Sequence, residues 1–285
     1  MPGDPAVLVL GTERGADPEA VAAMRTTLGL DQPLVTQYFG WMADIARFDF
    51  GQSLFNNIEV TSYIAERLPK TLELAIAGII IGAIIGITLG ISAAVKRGSF
   101  IDMIVSTISA AGMSFPVYVT GTAFILLISL QLNWLPASGY TNLSDDPIEH
   151  FQRLILPAIT VSLPLAASIA RMTRSSMLEV LGKDFVQTLR AKGMSEKLIV
   201  FRHVLRNAII SVITVIGLEL ANLIGGTVLV EFLFNWPGLS TLLVDAINNR
   251  NYPIIQGSII VIAAFYILIN RTVEIIYGLM DPRTR

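Results

Sequence analysis

The chain has 285 residues, 53% of them hydrophobic and only 15% charged, with a mean hydropathy of +0.64. Soluble domains carry charge on about a quarter of their residues, so this composition excludes an ordinary soluble protein and marks an integral membrane protein. The net charge of −2 decides nothing, whereas the lack of cysteine excludes a disulfide, a thiolate nucleophile and a Cys-ligated metal site.

The opening Met-Pro-Gly-Asp-Pro has neither the basic n-region nor the apolar core of a signal peptide. Residues 1–70 read as an extracytoplasmic, partly interfacial helical region. Asp17-Pro18-Glu19 opens a helix that runs to about Leu28, Gly29 ends it, and Pro33 begins another carrying Tyr38, Phe39, Trp41 and Met42. Aromatic rings of that kind sit well at a membrane surface.

Residues 71–285 read as the membrane domain. Thr71 to Val95 is the first span, and Gly78, Gly82, Gly86 and Gly90 form one stripe on it, which lets a second helix approach closely. Lys96-Arg97-Gly98 makes a basic turn. Met103 to Leu132 exceeds the roughly twenty residues needed to cross, so a tilt or a break at Pro116 is expected. A break exposes backbone groups that only protein or water can satisfy, which makes Ser114, Pro116 and Tyr118 candidates for the wall of a polar path; a simple kink is the alternative. Asn133 to Arg153 reads as an acidic loop, and Leu154 to Ala170, with Pro157 and Pro164, as the third span.

Arg171 to Asn207 is a basic island in which Arg171, Arg174, Lys183, Arg190, Lys192, Lys197, Arg202 and Arg206 face only Glu179, Asp184 and Glu196. Asp184 with Gln187 forms a capping-box-like pair, and Gly193 supplies a left-handed C′ residue. The helix between, Phe185 to Lys192, is about 12 Å long, with Phe185, Val186 and Leu189 on one side. Ser195 is placed to cap a second helix through Leu198, Phe201 and Leu205. The result is a short helical knuckle, either held out for a partner or a rigid turn at the membrane surface.

The fourth span, Ala208 to about Leu229, has Gly217, Ala221 and Gly225 on one stripe. A re-entrant loop follows over 230–253, holding Trp236-Pro-Gly-Leu239 and a helix from Ser240 to Ile247. The fifth span runs from Ile254 to about Met280, with Arg271 and Glu274 paired three residues apart. The basic segments, including Arg283 and Arg285, assign the knuckle and the C-terminus to the cytoplasmic side. Five spans then leave about seventy residues outside, and a further span before Met1 is the expected remedy.

The sequence contains no GxxxxGK[ST], HExxH or GxSxG motif, so no catalytic residue, metal ligand or bound cofactor is expected. His150 and His203 fall on opposite sides of the membrane, which argues against a His-based relay. Ionisable groups at membrane depth mark paths or pairs. Glu219, one turn before Asn222, is the leading path candidate, with a structural carboxyl between helices as the alternative. Glu231 lies nearer the outer interface, where a cap or an ion pair is the stronger reading.

These residues resemble the permease subunits of dipeptide/oligopeptide-type, binding-protein-dependent ABC importers. The likeness runs through Pro2-Gly3-Asp4-Pro5, Leu28-Gly-Leu-Asp-Gln-Pro33, Gly51-Gln-Ser53, Glu66-Arg-Leu-Pro69, Thr71-Leu-Glu-Leu74, Trp134-Leu-Pro-Ala-Ser-Gly139, Asp184 to Asn207, Trp236-Pro-Gly-Leu239 and Asp281-Pro-Arg283. It implies an all-α membrane protein with the type I ABC importer bundle, five visible spans and a sixth, N-terminal one not seen. It also implies that Asp184, Phe185, Leu189, Arg190, Ala191, Lys192, Gly193 and Ser195 dock on an ATP-hydrolysing subunit. The implied partners are a second permease, two ATP-binding subunits that hold the ATP and Mg, an external solute-binding protein, a peptide cargo and the inner-membrane bilayer; nucleic acid is not among them. Similar permeases carry nickel chelates, glutathione or sugars, and a stand-alone secondary transporter or channel using Glu219 is the competing class. The chain departs from the family pattern at Leu189, commonly alanine, at Ser211, often proline, and at Glu219, commonly glutamine.

Overall fold

A computed structural model describes residues 4–14 and 17–280 of the chain. Among these the structure is helical, with one isolated bridge between Gln52 and Glu59. The chain divides into two compact units, one of residues 1–66 with 242–260, the other of residues 67–241 with 261–285.

The first unit begins with α1 (Pro5–Arg14), α2 (Pro18–Thr27) and α3 (Leu34–Ala46). Helix α2 starts as its sequence dictates. The Asp17 side chain accepts from the Glu19 backbone N–H, Pro18 occupies the first turn, and Gly29 lies at φ 68° just past the end. Helix α3 follows Pro33 and leaves Leu34, Val35, Tyr38, Phe39 and Met42 exposed. The Asn251 amide fastens the loop before the long helix, donating to Ser53 Oγ at 2.8 Å and accepting from the Leu54 N–H.

Helix α4 (Val60–Val95) is longer than the first expected span and contains Pro69. Helices α5 (Phe100–Ser114) and α6 (Val117–Phe124) follow. The latter runs on into a π-helical segment, Ile125–Gln131. The axes of the two halves differ by 102°, because Pro116 denies a backbone donor and pushes Phe115 to an extended ψ of 128°. The thirty apolar residues are thus a broken span or a re-entrant hairpin.

Helix α7 (Pro147–Leu181) corrects two expectations. It absorbs the end of the supposed acidic loop and the start of the basic island, so the third span is not confined to 154–170. Asp146 caps it by accepting from the Ile148 and Glu149 N–H groups, the same Asp-Pro start that opens α2. Pro157 and Pro164 are both inside it. Helix α7 packs against α5, α6 and the later membrane helix α10 (Leu205–Gly226), and it carries much of the buried core, including Leu156, Val161, Leu165 and Ile169. The glycine stripe of α4 lies against it. A Cβ on Gly78 would touch Val161 at 3.0 Å, on Gly82 Leu165 at 3.0 Å, and on Gly86 the Ala166 carbonyl at 2.7 Å. Lipid gives little hydrophobic drive for helix association, so this close backbone approach is what holds the two together.

The knuckle consists of α8 (Asp184–Ala191) and α9 (Glu196–Leu198), with a π-helical stretch, Ile199–Val204, joining α9 to α10. Helix α10 ends at Gly226, short of the expected Leu229. The supposed loop over 230–253 holds α11 (Val228–Leu233) and α12 (Leu239–Asn248), and α13 (Tyr252–Met280) follows. Among the described residues four helices are long and apolar enough to cross a membrane, or five spans if the bent pair counts as one. Arg271 and Glu274 pair at 2.7 Å, as their spacing implied. The motif Asp281-Pro-Arg283 and the tail charges Arg283 and Arg285 lie outside the described residues.

Candidate functional site

The knuckle is built on one buried anchor. Val186 is fully buried in a cluster with Met177, Ile199, Val200 and Val204, and Leu189 packs half-buried against the same cluster. Phe185, placed on that face by its sequence spacing, is instead 39% exposed. Asp184, Arg190, Ala191, Lys192, Gly193 and Ser195 are exposed as well, so α8 presents a free outer surface on a fixed base. Arg190 reaches back to Glu196, Nε to Oε1 at 2.7 Å and Nη2 to Oε2 at 3.3 Å, and this bidentate tie closes the turn between α8 and α9. The Glu196 carboxylate beside it pushes the Arg190 guanidinium further up.

The caps differ from the sequence expectation. Lys183, with an extended backbone, is the N-cap residue of α8, and Asp184 is its first helical residue, making no side-chain cap. An acidic group in the first turn still complements the helix dipole. Ser195 occupies the N-cap of α9 without a side-chain bond. Gly193 does what its position required, at φ 76° with nothing near the place a Cβ would take.

Among the path candidates, Ser114 and Tyr118 are exposed at the break around Pro116, where the Ser114 hydroxyl donates to the Ala110 carbonyl at 2.9 Å. Glu219 and Asn222 border a cavity of about 230 Å³ with Ser168, Pro164 and Met113. Glu231 belongs elsewhere. It is fully buried, its Oε1 accepting from Thr71 Oγ1 at 2.8 Å and Thr227 Oγ1 at 2.9 Å, its Oε2 from the Ser240 and Thr241 N–H groups at 3.0 Å each. Burial pushes this carboxyl up from its ordinary value, and the four donors pull the other way. The carboxyl group caps α12 and bolts it to α4. Gly238 is required beside it, since a Cβ there would overlap the carboxyl group. Trp236, fully buried next door, donates from Nε1 to the Lys70 carbonyl at 2.9 Å.

Two pairs escaped the sequence. Arg174 grips Asp102; the Ser99-to-Asp102 spacing hints at the cap of α5, which Ser99 makes, but nothing local points to an arginine 72 residues on. His150 stands 2.6 Å from Glu73 through Nε2, with Nδ1 2.7 Å from the Thr141 carbonyl, fixing α4 to α7.

A family model described as "Binding-protein-dependent transport system inner membrane component" matches residues 86–285, and a model for the N-terminal part of such components matches residues 1–75. The chain is 43% identical over its whole length to a probable peptide ABC transporter permease protein of Sinorhizobium fredii, covering 90% of it. It is 42% identical to a di/tripeptide transport system permease protein of Pseudomonas aeruginosa and 40% to a glutathione transport system permease protein of Salmonella choleraesuis, again over 100% of this chain and 90% of each relative. Among solved structures, an inward-facing MetNI methionine ABC transporter superposes with a TM-score of 0.64 at 17% identity, over 77% of this chain and 96% of that one. An amino acid ABC transporter crystallised with histidines gives 0.56 at 16%, over 78% and 94%; at these identities the likeness concerns the fold alone. With both family models matched and relatives aligned over all of this chain and 90% of their own length, the chain belongs to the inner-membrane components of binding-protein-dependent transport systems, the multi-pass permease subunits of ABC importers.

Proposed function

We propose that this permease imports di- or oligopeptides, paired with a second, similar permease and driven by two ATP-binding subunits that carry the ATP and Mg. An extracytoplasmic solute-binding protein delivers the cargo. The observation that carries the reading is end-to-end identity above 40% with relatives named for peptide transport; the glutathione permease among the relatives keeps that peptide-like thiol as the alternative cargo.

The geometry of α8 supports the coupling role. Its exposed residues offer Phe185 and a basic edge to a partner's cleft, while Val186 and the Arg190–Glu196 tie pass displacement into α9 and α10. ATP binding closes the ATPase pair, α8 moves with it, and the bundle exchanges outward-open for inward-open arrangements, with no bond chemistry on this chain. The knuckle and the C-terminus are cytoplasmic in this scheme, and Ser114, Tyr118, Glu219 and Asn222 border the path.

The test is uptake of a labelled dipeptide by the complete assembly in liposomes. Uptake that requires both ATP and the binding protein is expected. Uptake that persists without ATP would instead establish a secondary transporter and make Glu219 its proton or cation site.

A further inference from the structure

Two cavities of the bundle share Met113 in their walls, and their chemistry is opposite. The first, about 230 Å³, has Glu219, Asn222 and Ser168 in its wall. The second, about 270 Å³, has Arg171, Ser106 and Ser109. Each has the volume of several waters. Helix α7 supplies both walls from one stripe, Pro164, Ser168 and Arg171, so Arg171 stands about 4.5 Å beyond Ser168 along the helix axis. Met113, 43% exposed, lies at the junction, and its flexible thioether adapts to side chains of different shape.

Neither Glu219 nor Arg171 has a hydrogen-bond or ion-pair partner among the described residues. Arg174, the next turn of α7, is by contrast tied to Asp102. A lone carboxyl within a span is expensive unless something brings its counter-charge, and the exposed guanidinium of Arg171 is open to an anion. One molecule that brings both is a zwitterion with an amine at one end and a carboxylate at the other.

We propose that these adjoining cavities, with the flexible Met113 side chain between them turned aside, form a two-point recognition site for a short zwitterionic peptide. Glu219, Asn222 and Ser168 take the terminal ammonium group, and Arg171 with Ser109 takes the terminal carboxylate, whose two oxygens fit the guanidinium fork. An extended residue spans about 3.5 Å, so cavities one helical turn apart on α7 reach both ends of only a short chain. This deepens the peptide-import reading and rests on it, adding Arg171, Ser106, Ser109 and Ser168 to the path candidates read from sequence.

The experiment is equilibrium binding of labelled alanyl-alanine to the complete permease–ATPase assembly without its binding protein, with the N-acetylated and C-amidated dipeptides as competitors. Each capped form is expected to compete at least about tenfold more weakly than the free dipeptide, the worth of one charge-assisted contact. In Glu219→Gln the acetylated form loses its disadvantage and the amide keeps its own; in Arg171→Gln the pattern reverses. Both side chains lack partners among the described residues, so both variants are expected to keep the wild-type melting midpoint. Equal competition by all three forms, end preferences untouched by both substitutions, or no saturable binding overturns the site. Liposome uptake of the same dipeptide by the wild-type assembly separates the two failures. Intact uptake without end preference removes the two-point site alone, whereas absent uptake removes the peptide reading itself.

Discussion

Arg174 holds Asp102 with both arms of its fork, Nε to Oδ1 at 2.6 Å and Nη2 to Oδ2 at 2.9 Å, while Asp102 Oδ2 also accepts from the Gly98 N–H at 2.9 Å. One carboxylate therefore joins the basic turn after α4, the first turn of α5 and the far end of α7. Asp102→Asn and Arg174→Gln are each expected to lower the melting midpoint of the purified protein. The double variant should fall short of the sum of the two effects, because the partners share one interaction. Strict additivity in that cycle would show that the contact contributes nothing.

The glycine stripe of α4 gives a graded prediction. A Cβ on Gly82 meets Leu165 at 3.0 Å, on Gly86 Ile169 and the Ala166 carbonyl at 2.7 Å, and on Gly90 Thr173 at 2.5 Å. Alanine should cost least at Gly82 and most at Gly90, where overpacking is worth about 1–3 kcal/mol. Thermal unfolding in one detergent ranks the three, and the reverse order would mean that α4 does not lie on α7 in this way.

Gly193 has a positive φ of 76° and open space around it, so substitution there acts through backbone strain. Gly193→Val should cost on the order of 1–3 kcal/mol locally and reduce ATP-driven uptake while leaving the midpoint of the spans nearly unchanged. Gly193→Asn, which tolerates the left-handed region, should retain most of the uptake. Equal loss in both would assign the effect to side-chain bulk at the docking surface.

Glu231→Gln replaces one acceptor oxygen by a donor, yet all four partners of Glu231 are donors. A donor-donor clash of that kind leaves at least one buried group unsatisfied, at about 1–3 kcal/mol. Trp236 lies buried beside this cluster, so its fluorescence should report the loosening. An unchanged midpoint and spectrum would show that the cap is dispensable.

Local chemistry was legible where a feature depends on neighbours in the chain. Asp17-Pro18-Glu19 and Gly29 bounded α2, Pro116 broke its span, and the four-residue glycine repeat gave the α4 face toward α7. The same logic was available at Asp146-Pro147 and was obscured by the density of acidic residues, which resembles a loop. Asp102 with Arg174, Glu73 with His150 and Thr71 with Glu231 were out of reach, since periodicity reports only residues three or four apart. Asp184 was placed one position off because Lys183 takes the cap with its backbone alone.

Thirty-five residues make α7 about 52 Å long, well beyond a hydrocarbon core of about 30 Å. It is therefore a lever whose two arms end outside the lipid. A tilt of about 10° around its middle swings each tip by about 4.5 Å in opposite senses, close to one helical turn. Whatever pulls the tip beside Val186 thus moves the tip beside His150 without any signal relayed from side chain to side chain. Pro157 and Pro164 lie inside the helix, each removing a backbone hydrogen bond, and any bending there would lessen the swing passed to the tip beside His150.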